Sequence, residues 1–171
     1  HLHLDLIAGL PTDTLESYKS TLDTVLSLEP ENITVHTLAL KRSATLVTDK
    51  RQTNSGDTAM SMLSHTYKVL TQAGYIPYYM YRQSKTVGNN ENVGWSKEGK
   101  ECLYNIYMME EIHTVLAAGG GAVTKLKNQT DGRIERIFNF KYPYEYISRF
   151  NELLERKNYI YEFYGMNENE L

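Results

Sequence analysis

Three side chains near the start of the chain are of types that do chemistry. His1, His3 and Asp5 alternate with leucines, and the period of two in a strand puts all three on one face. Two imidazoles and a carboxylate are ligands for a cation such as Zn²⁺. Alternate positions on one strand stand roughly 7 Å apart, however, which seldom closes a coordination sphere. A row of polar residues facing a cleft is therefore the favoured reading. Asp5 stands out among them because it lies four residues before Gly9, near the end of the strand. In α/β folds ligands gather at the carboxyl ends of strands, where a carboxylate accepts hydrogen bonds from a ribose or an amino group.

Other candidates are weaker. The run Gly119-Gly120-Gly121-Ala122 would let a backbone approach a ligand closely, but it lacks the spacing of a dinucleotide fingerprint and reads as a tight turn. Lys41, Arg42, Arg82, Lys85 and Lys125 fall in loops or near strand ends, where they would serve an anionic substrate or, more ordinarily, face solvent. Tyrosines 75, 78, 79 and 81 are expected to pack, with hydroxyls reaching a surface. Cys102 reads as a small buried hydrophobe. The sequence contains no nucleophile elbow, no HExxH and no phosphate loop.

The elements that position these residues follow from periodicity. Residues 1–10 alternate as a strand and end at Gly9-Leu10-Pro11. A helix is expected over 12–28, with Asp13 and Glu16 as a capping box and Leu15, Tyr18, Leu22, Val25 and Leu26 as its apolar stripe. Pro30 stops it, and Ile33–Leu40 reads as a strand buried on both faces. Strand, helix and strand with short connections make a βαβ unit. Residues 41–54 read as a linker or lid, and 55–73 as a helix with Leu63, Tyr67 and Leu70 on its stripe and Gly74 after it. A strand over 75–83, a long loop over 84–101 and an ambiguous segment over 102–116 follow. Asp131-Gly132 marks a hairpin between strands 122–127 and 133–140, and Pro143 opens a final helix running to Lys157.

At 171 residues the chain holds one or two domains of the usual roughly 100–200 residues. Its 18 Lys+Arg against 21 Asp+Glu give a net charge of −3, which argues against a nucleic-acid partner. Apolar runs are too short for a membrane span, and no secretory signal opens the chain. One cysteine forms no internal disulfide and supplies no cluster site, which fits a reducing cytoplasm. The first residues already lie within a strand, as they would in a piece of something longer.

Specific strings say more than spacing. Asp5-Leu6-Ile7-Ala8-Gly9-Leu10-Pro11 resembles the DLIxGLP signature of oxygen-independent coproporphyrinogen III oxidases and their radical-SAM relatives. Leu28-Glu29-Pro30 and the strand Ile33–Leu40 follow in the expected order. Asn92-Val93-Gly94-Trp95 and Gly119-Gly120-Gly121-Ala122-Val123 are similar to further segments of that family. The stretch Gly99–Ile106 resembles the HemZ-type branch.

The resemblance implies an α/β fold, the C-terminal part of a partial (β/α)6 radical-SAM barrel followed by a small α+β domain. The corresponding division is 1–45 for the last barrel strands, 46–54 for a linker and 55–171 for the C-terminal domain. It implies a parent enzyme that uses S-adenosylmethionine and a [4Fe–4S] cluster to convert propionates of a porphyrinogen to vinyl groups. Asp5, Ala39 and Val123 match S-adenosylmethionine contacts: the carboxylate for ribose or amino donors, the two small apolar residues as walls for adenine. The family's cysteine triad is absent, so no metal ligand is assigned and this polypeptide alone is expected to be inert. An exposed strand edge predicts self-association. Val93 stands where the oxidases carry glutamine, and Glu91 where haem-chaperone relatives carry a histidine, so both activities depart from the family pattern. A stand-alone α/β ligand-binding domain is the remaining alternative.

Overall fold

The alternation at the start of the chain forms β1 (His3–Ala8), with His1 outside it, and the βαβ unit follows as expected. The structure is a computed structural model that describes residues 1–40 and 56–166. Helix α1 (Leu15–Ser27) begins one residue later than the expected capping box requires. Thr14 is its cap: the Ser17 N–H donates to the Thr14 hydroxyl at 3.1 Å, and the Thr14 N–H donates to the Ser17 hydroxyl at 2.9 Å. A hydroxyl pair closes the box where Asp13 and Glu16 were expected to do so. Strand β2 (Asn32–Thr37) then runs parallel to β1, with His3 beside Asn32, Asp5 beside Thr34 and Ile7 beside His36.

Helix α2 (Gly56–Gln72) buries Ala59, Met62, Thr66 and Leu70. Its stripe is rotated from the expected one, leaving Tyr67 61% exposed at the margin, edge-on to Trp95. Strand β3 (Ile76–Tyr81) and a 3₁₀ turn at Val87–Asn89 lead to β4 (Asn92–Ser96), a strand inside what reads from sequence as a long loop. Asn, Gly and Ser weaken its intrinsic strand preference, and pairing on both sides overrides that. The sheet order is β1-β2-β4-β3, with β4 antiparallel to both neighbours.

This sheet has two unlike faces. Leu4, Leu6, Ala8, Ile33, Val35, Val93 and Trp95 pack with Tyr18, Leu22, Met62 and Leu70 of α1 and α2. Each fully buried side chain of this size contributes about 1.5–3 kcal/mol relative to exposure. The Tyr18 hydroxyl meets the Thr66 hydroxyl at 2.8 Å inside this layer, so its polar end is satisfied. Gly9 leaves β1 at φ +89°, and a Cβ there would lie 3.3 Å from the Ala59 Cβ, so the turn needs glycine twice over. The opposite face carries His3, Asp5, Thr34, His36, Tyr79 and Tyr81.

The residues divide into two compact units, His1–Met109 and Glu110–Leu171. The expected linker at 46–54 lies outside the described residues, and the strands on either side of it share one sheet. Helix α3 (Leu103–Glu110) resolves the ambiguous segment as helix at that boundary. In the second unit β5 (Val123–Lys127) and β6 (Ile134–Phe138) form the expected hairpin. The expected single last helix is broken: α4 (Pro143–Ser148) and α5 (Phe150–Lys157) meet at Arg149 with φ −114° and ψ 30°, and α6 (Tyr159–Tyr164) follows. The guanidinium groups of Arg149 and Arg156 lie 4.1 and 4.3 Å from the centre of the Phe140 ring, and both join Glu152. That cation–π contact favours the broken path.

Gly94 pairs with Tyr79, and a Cβ at Gly94 would fall 1.8 Å from the Tyr79 ring. Gly94→Ala is expected to cost about 1–3 kcal/mol in urea unfolding. In a Tyr79→Ala background most of that cost should vanish; an equal cost in both backgrounds would show that the ring is not the obstacle. Burial also pushes the Tyr79 phenol up to about 12. The folded state then holds this proton after the unfolded chain has lost it near 10, so stability falls as pH rises from about 10 to about 12. Subtracting the alkaline absorbance titration of Tyr79→Phe from that of the native chain should leave one transition near 12; a transition near 10 would contradict it.

Candidate functional site

The polar face of the first sheet is built by strand register. Residues paired across strands point to the same side, so His3 and Asp5 of β1, Thr34 and His36 of β2, and Tyr79 and Tyr81 of β3 converge over Gly94 of β4. Their polar atoms form one connected set. His3 Nε2 lies 2.7 Å from the Thr34 hydroxyl, which lies 2.9 Å from the Tyr79 hydroxyl. His36 Nδ1 lies 3.1 Å from the Tyr81 hydroxyl. Asp5 Oδ1 sits between the two imidazoles, 3.4 Å from His36 Nε2 and 3.6 Å from His3 Nε2. These last distances are long for hydrogen bonds. The tautomer sets the direction of the Tyr81 contact: where the phenol donates to Nδ1, the ring proton sits on Nε2, facing Asp5.

Asp5 keeps 65% of its side chain exposed, whereas the two histidines are about one-third exposed. A carboxylate oriented by neighbouring rings and still open to solvent is an acceptor prepared for a ligand's N–H or O–H groups. Beside it lies a cavity of about 450 Å³ lined by Ile7, His36, Thr37, Ala39, Tyr81 and Gln83, among others. Ala39 sits just past the end of β2, bridged to Thr86, and the Val87 N–H donates to Leu38 O at 2.9 Å. His36 therefore touches both Asp5 and the cavity that Ala39 lines.

Of the three residues singled out by resemblance, Asp5 and Ala39 stand in the first unit. Val123 is half-buried on β5 in the second. The tyrosine hydroxyls do not reach for solvent as expected: Tyr75 donates to Pro30 O at 2.6 Å, Asn105 donates to Tyr78 at 2.9 Å, and Tyr79 and Tyr81 belong to the network above. Burial raises the phenol pKa of Tyr75 and Tyr78. Of the cationic candidates, Arg82 pairs with Glu91 at 3.1 Å and Lys125 with Glu111 at 2.9 Å; Lys41 and Arg42 lie outside the described residues. Gly119 and Gly121, both at positive φ, form a turn, with the Gly121 N–H donating to Phe140 O at 2.7 Å. Cys102 is half-buried at the entry to α3, not a core residue. His36 is the residue that sequence reading missed. Its signal was the polar alternation Asn32, Thr34, His36 against Ile33 and Val35 in a strand taken as apolar on both faces.

A [4Fe–4S] cluster does not fit this donor set. The chain has one cysteine, and among the described residues no group of three or more His, Cys, Asp or Glu side chains is placed to hold a metal ion. His3, Asp5 and His36 form an interacting set. Asp5 offers acceptors, and the small Ala39 side chain leaves room at the cavity wall.

Comparison with known proteins finds relatives. The chain is 35% identical over 159 residues to the oxygen-independent coproporphyrinogen-III oxidase-like protein HemZ of Bacillus subtilis, covering 92% of this chain and 32% of that protein. It is 29% identical over 156 residues to the heme chaperone HemW of Haemophilus influenzae, covering 91% and 37%. Among solved structures, the coproporphyrinogen III oxidase HemN of Escherichia coli, described as a radical SAM enzyme, superposes with a TM-score of 0.58 at 20% identity, over 88% of this chain and 34% of that one. No family model matches. The chain spans about a third of the length of the curated relatives it matches. The shared strings, the mixed α/β fold and the extent of the HemZ match agree: over almost its whole length the chain is similar to one portion of the oxygen-independent coproporphyrinogen-III oxidase-like protein HemZ.

Proposed function

We propose that the chain is one portion of a radical-SAM oxidase that decarboxylates the propionates of a porphyrinogen to vinyl groups in haem biosynthesis. The observation that carries this reading is the 35% identity to HemZ over 92% of the chain. The polar sheet face supports it. In this reading the face is the inner wall of a partial (β/α)6 barrel, with the α1 and α2 helices outside. β1 pairs with no strand on its outer edge among the described residues, which is where a further barrel strand would add. Left open, that edge would favour self-association.

Within the barrel, Asp5 accepts hydrogen bonds from the ribose or amino group of S-adenosylmethionine, while Ala39 offers an apolar wall to the adenine. His36 and His3 flank the Asp5 carboxylate, and Tyr81 meets the far side of the His36 ring. The cofactor, when bound, supplies hydrogen abstraction from the substrate. The cluster it needs belongs outside this chain, which has a single thiol, so the 171 residues alone are inert. That lone thiol suits a reducing cytoplasm.

Identity of 29% to HemW favours a second reading, a haem-binding chaperone relative. Against it, Glu91 occupies the position before Asn92 and is tied to Arg82. The test uses the longer protein containing this chain, reconstituted anaerobically. Asp5→Asn keeps the shape but removes the charge, and it is expected to weaken S-adenosylmethionine binding about tenfold by calorimetry, with an unchanged melting temperature. Unchanged affinity would remove Asp5 from the site. Failure of the cluster-loaded protein to convert coproporphyrinogen III, together with a Soret shift on titration with haem, would replace the oxidase reading with the chaperone one.

A further inference from the structure

The second unit contains a groove of about 350 Å³ that the proposed function does not use, at the small end of the range of ligand pockets. Tyr146 of α4, Phe150 and Leu154 of α5, Ile160 of α6 and Leu116 of the preceding loop give it apolar walls. Lys157, the last residue of α5, is its cationic member. The Lys157 ammonium donates to Ala117 O at 2.8 Å and to the hydroxyl of fully buried Thr124 at 2.6 Å. An ammonium has three donors, so these neutral partners leave one.

Desolvation is what distinguishes this lysine. Four cations of the unit share carboxylates, Arg149 and Arg156 on Glu152, Lys125 and Arg136 on Glu111. Among the described residues no carboxylate pairs with Lys157. Its burial in apolar surroundings depresses its pKa, the expected consequence of an ammonium held without a counter-charge. Such a group is costly to desolvate unless an anion completes it. Asn139, 7% exposed and also in the lining, donates its Nδ2 to Gly119 O at 2.8 Å, which pins the loop that supplies Ala117. The ammonium is thereby held in place from two sides.

We propose that this groove binds a small amphipathic carboxylate, its apolar body against Tyr146, Phe150 and Leu154 and its carboxylate on the Lys157 ammonium. A single free donor suits a singly charged anion, whereas phosphate is ordinarily held by several donors or a planar guanidinium. The site lies wholly in the second unit and stands or falls independently of the oxidase reading.

The probe is 4-phenylbutyrate, titrated into the ¹⁵N-labelled 171-residue chain, with 4-phenylbutanol as its uncharged counterpart. Chemical-shift changes should centre on residues 116–118 and 146–160. The alcohol should bind at least tenfold more weakly, as should the acid to Lys157→Met. Lys157→Arg should retain most of the binding, and Ala118→Phe, which fills the groove without touching the charge, should abolish it. Shifts that are absent or scattered over the surface would overturn the proposal, as would equal affinity for acid and alcohol. Should Lys157→Met lose its fold, the comparison of acid with alcohol on the native chain decides alone.

Discussion

Tyr79 can lie across β4 only because residue 94 has no side chain, and the polar face of the first unit depends on that one vacancy. With the ring over Gly94, the phenol reaches from β3 past β4 to the Thr34 hydroxyl on β2, 2.9 Å away. Thr34 in turn meets His3 on β1, so a single hydrogen-bonded line ties both edge strands to the centre. Asp5 and His36 lie alongside this line, and Tyr81 secures His36 from the same strand that carries Tyr79. The aromatic residues are thus structural members of the site: they bridge a gap between strands that short polar side chains could not span.

The same sheet explains why this polar set stays available. Two helices bury one face, and the stability of the unit comes from that side. The other face is left with rings, hydroxyls and a carboxylate whose mutual contacts replace part of the water they lose. Asp5 is the member with most exposure left. Its carboxylate lies against two imidazoles and keeps its acceptors open to solvent.

What the sequence made legible was whatever repeats with a period. The alternation of β1, the stripe of α1 and the Asp-Gly turn of the second hairpin were all readable, and so was the identity string beginning at Asp5. β4 was not, because Asn92, Gly94 and Ser96 are individually poor strand residues and become a strand only between β2 and β3. The cap of α1 misled because two hydroxyls did the work expected of two carboxylates. The break at Arg149 has no local signal, since it answers to Phe140 nine residues earlier, on the path out of β6. His36 was hidden for a similar reason: its role comes from partners 31 and 45 residues away in sequence, Asp5 and Tyr81.

The distribution of donor atoms also sets the kind of work this chain can share in. Its first unit presents carboxylate oxygen, imidazole and phenol on a rigid floor, and its second presents an apolar groove with one uncompensated ammonium. Both are arrangements for holding organic molecules by shape and charge. Neither offers the set of thiolates that would carry electrons, because one cysteine, half-buried at a helix entry, is all the chain contains. The relatives are about three times longer than the matched region, and the donor atoms of this stretch are suited to recognition of organic molecules.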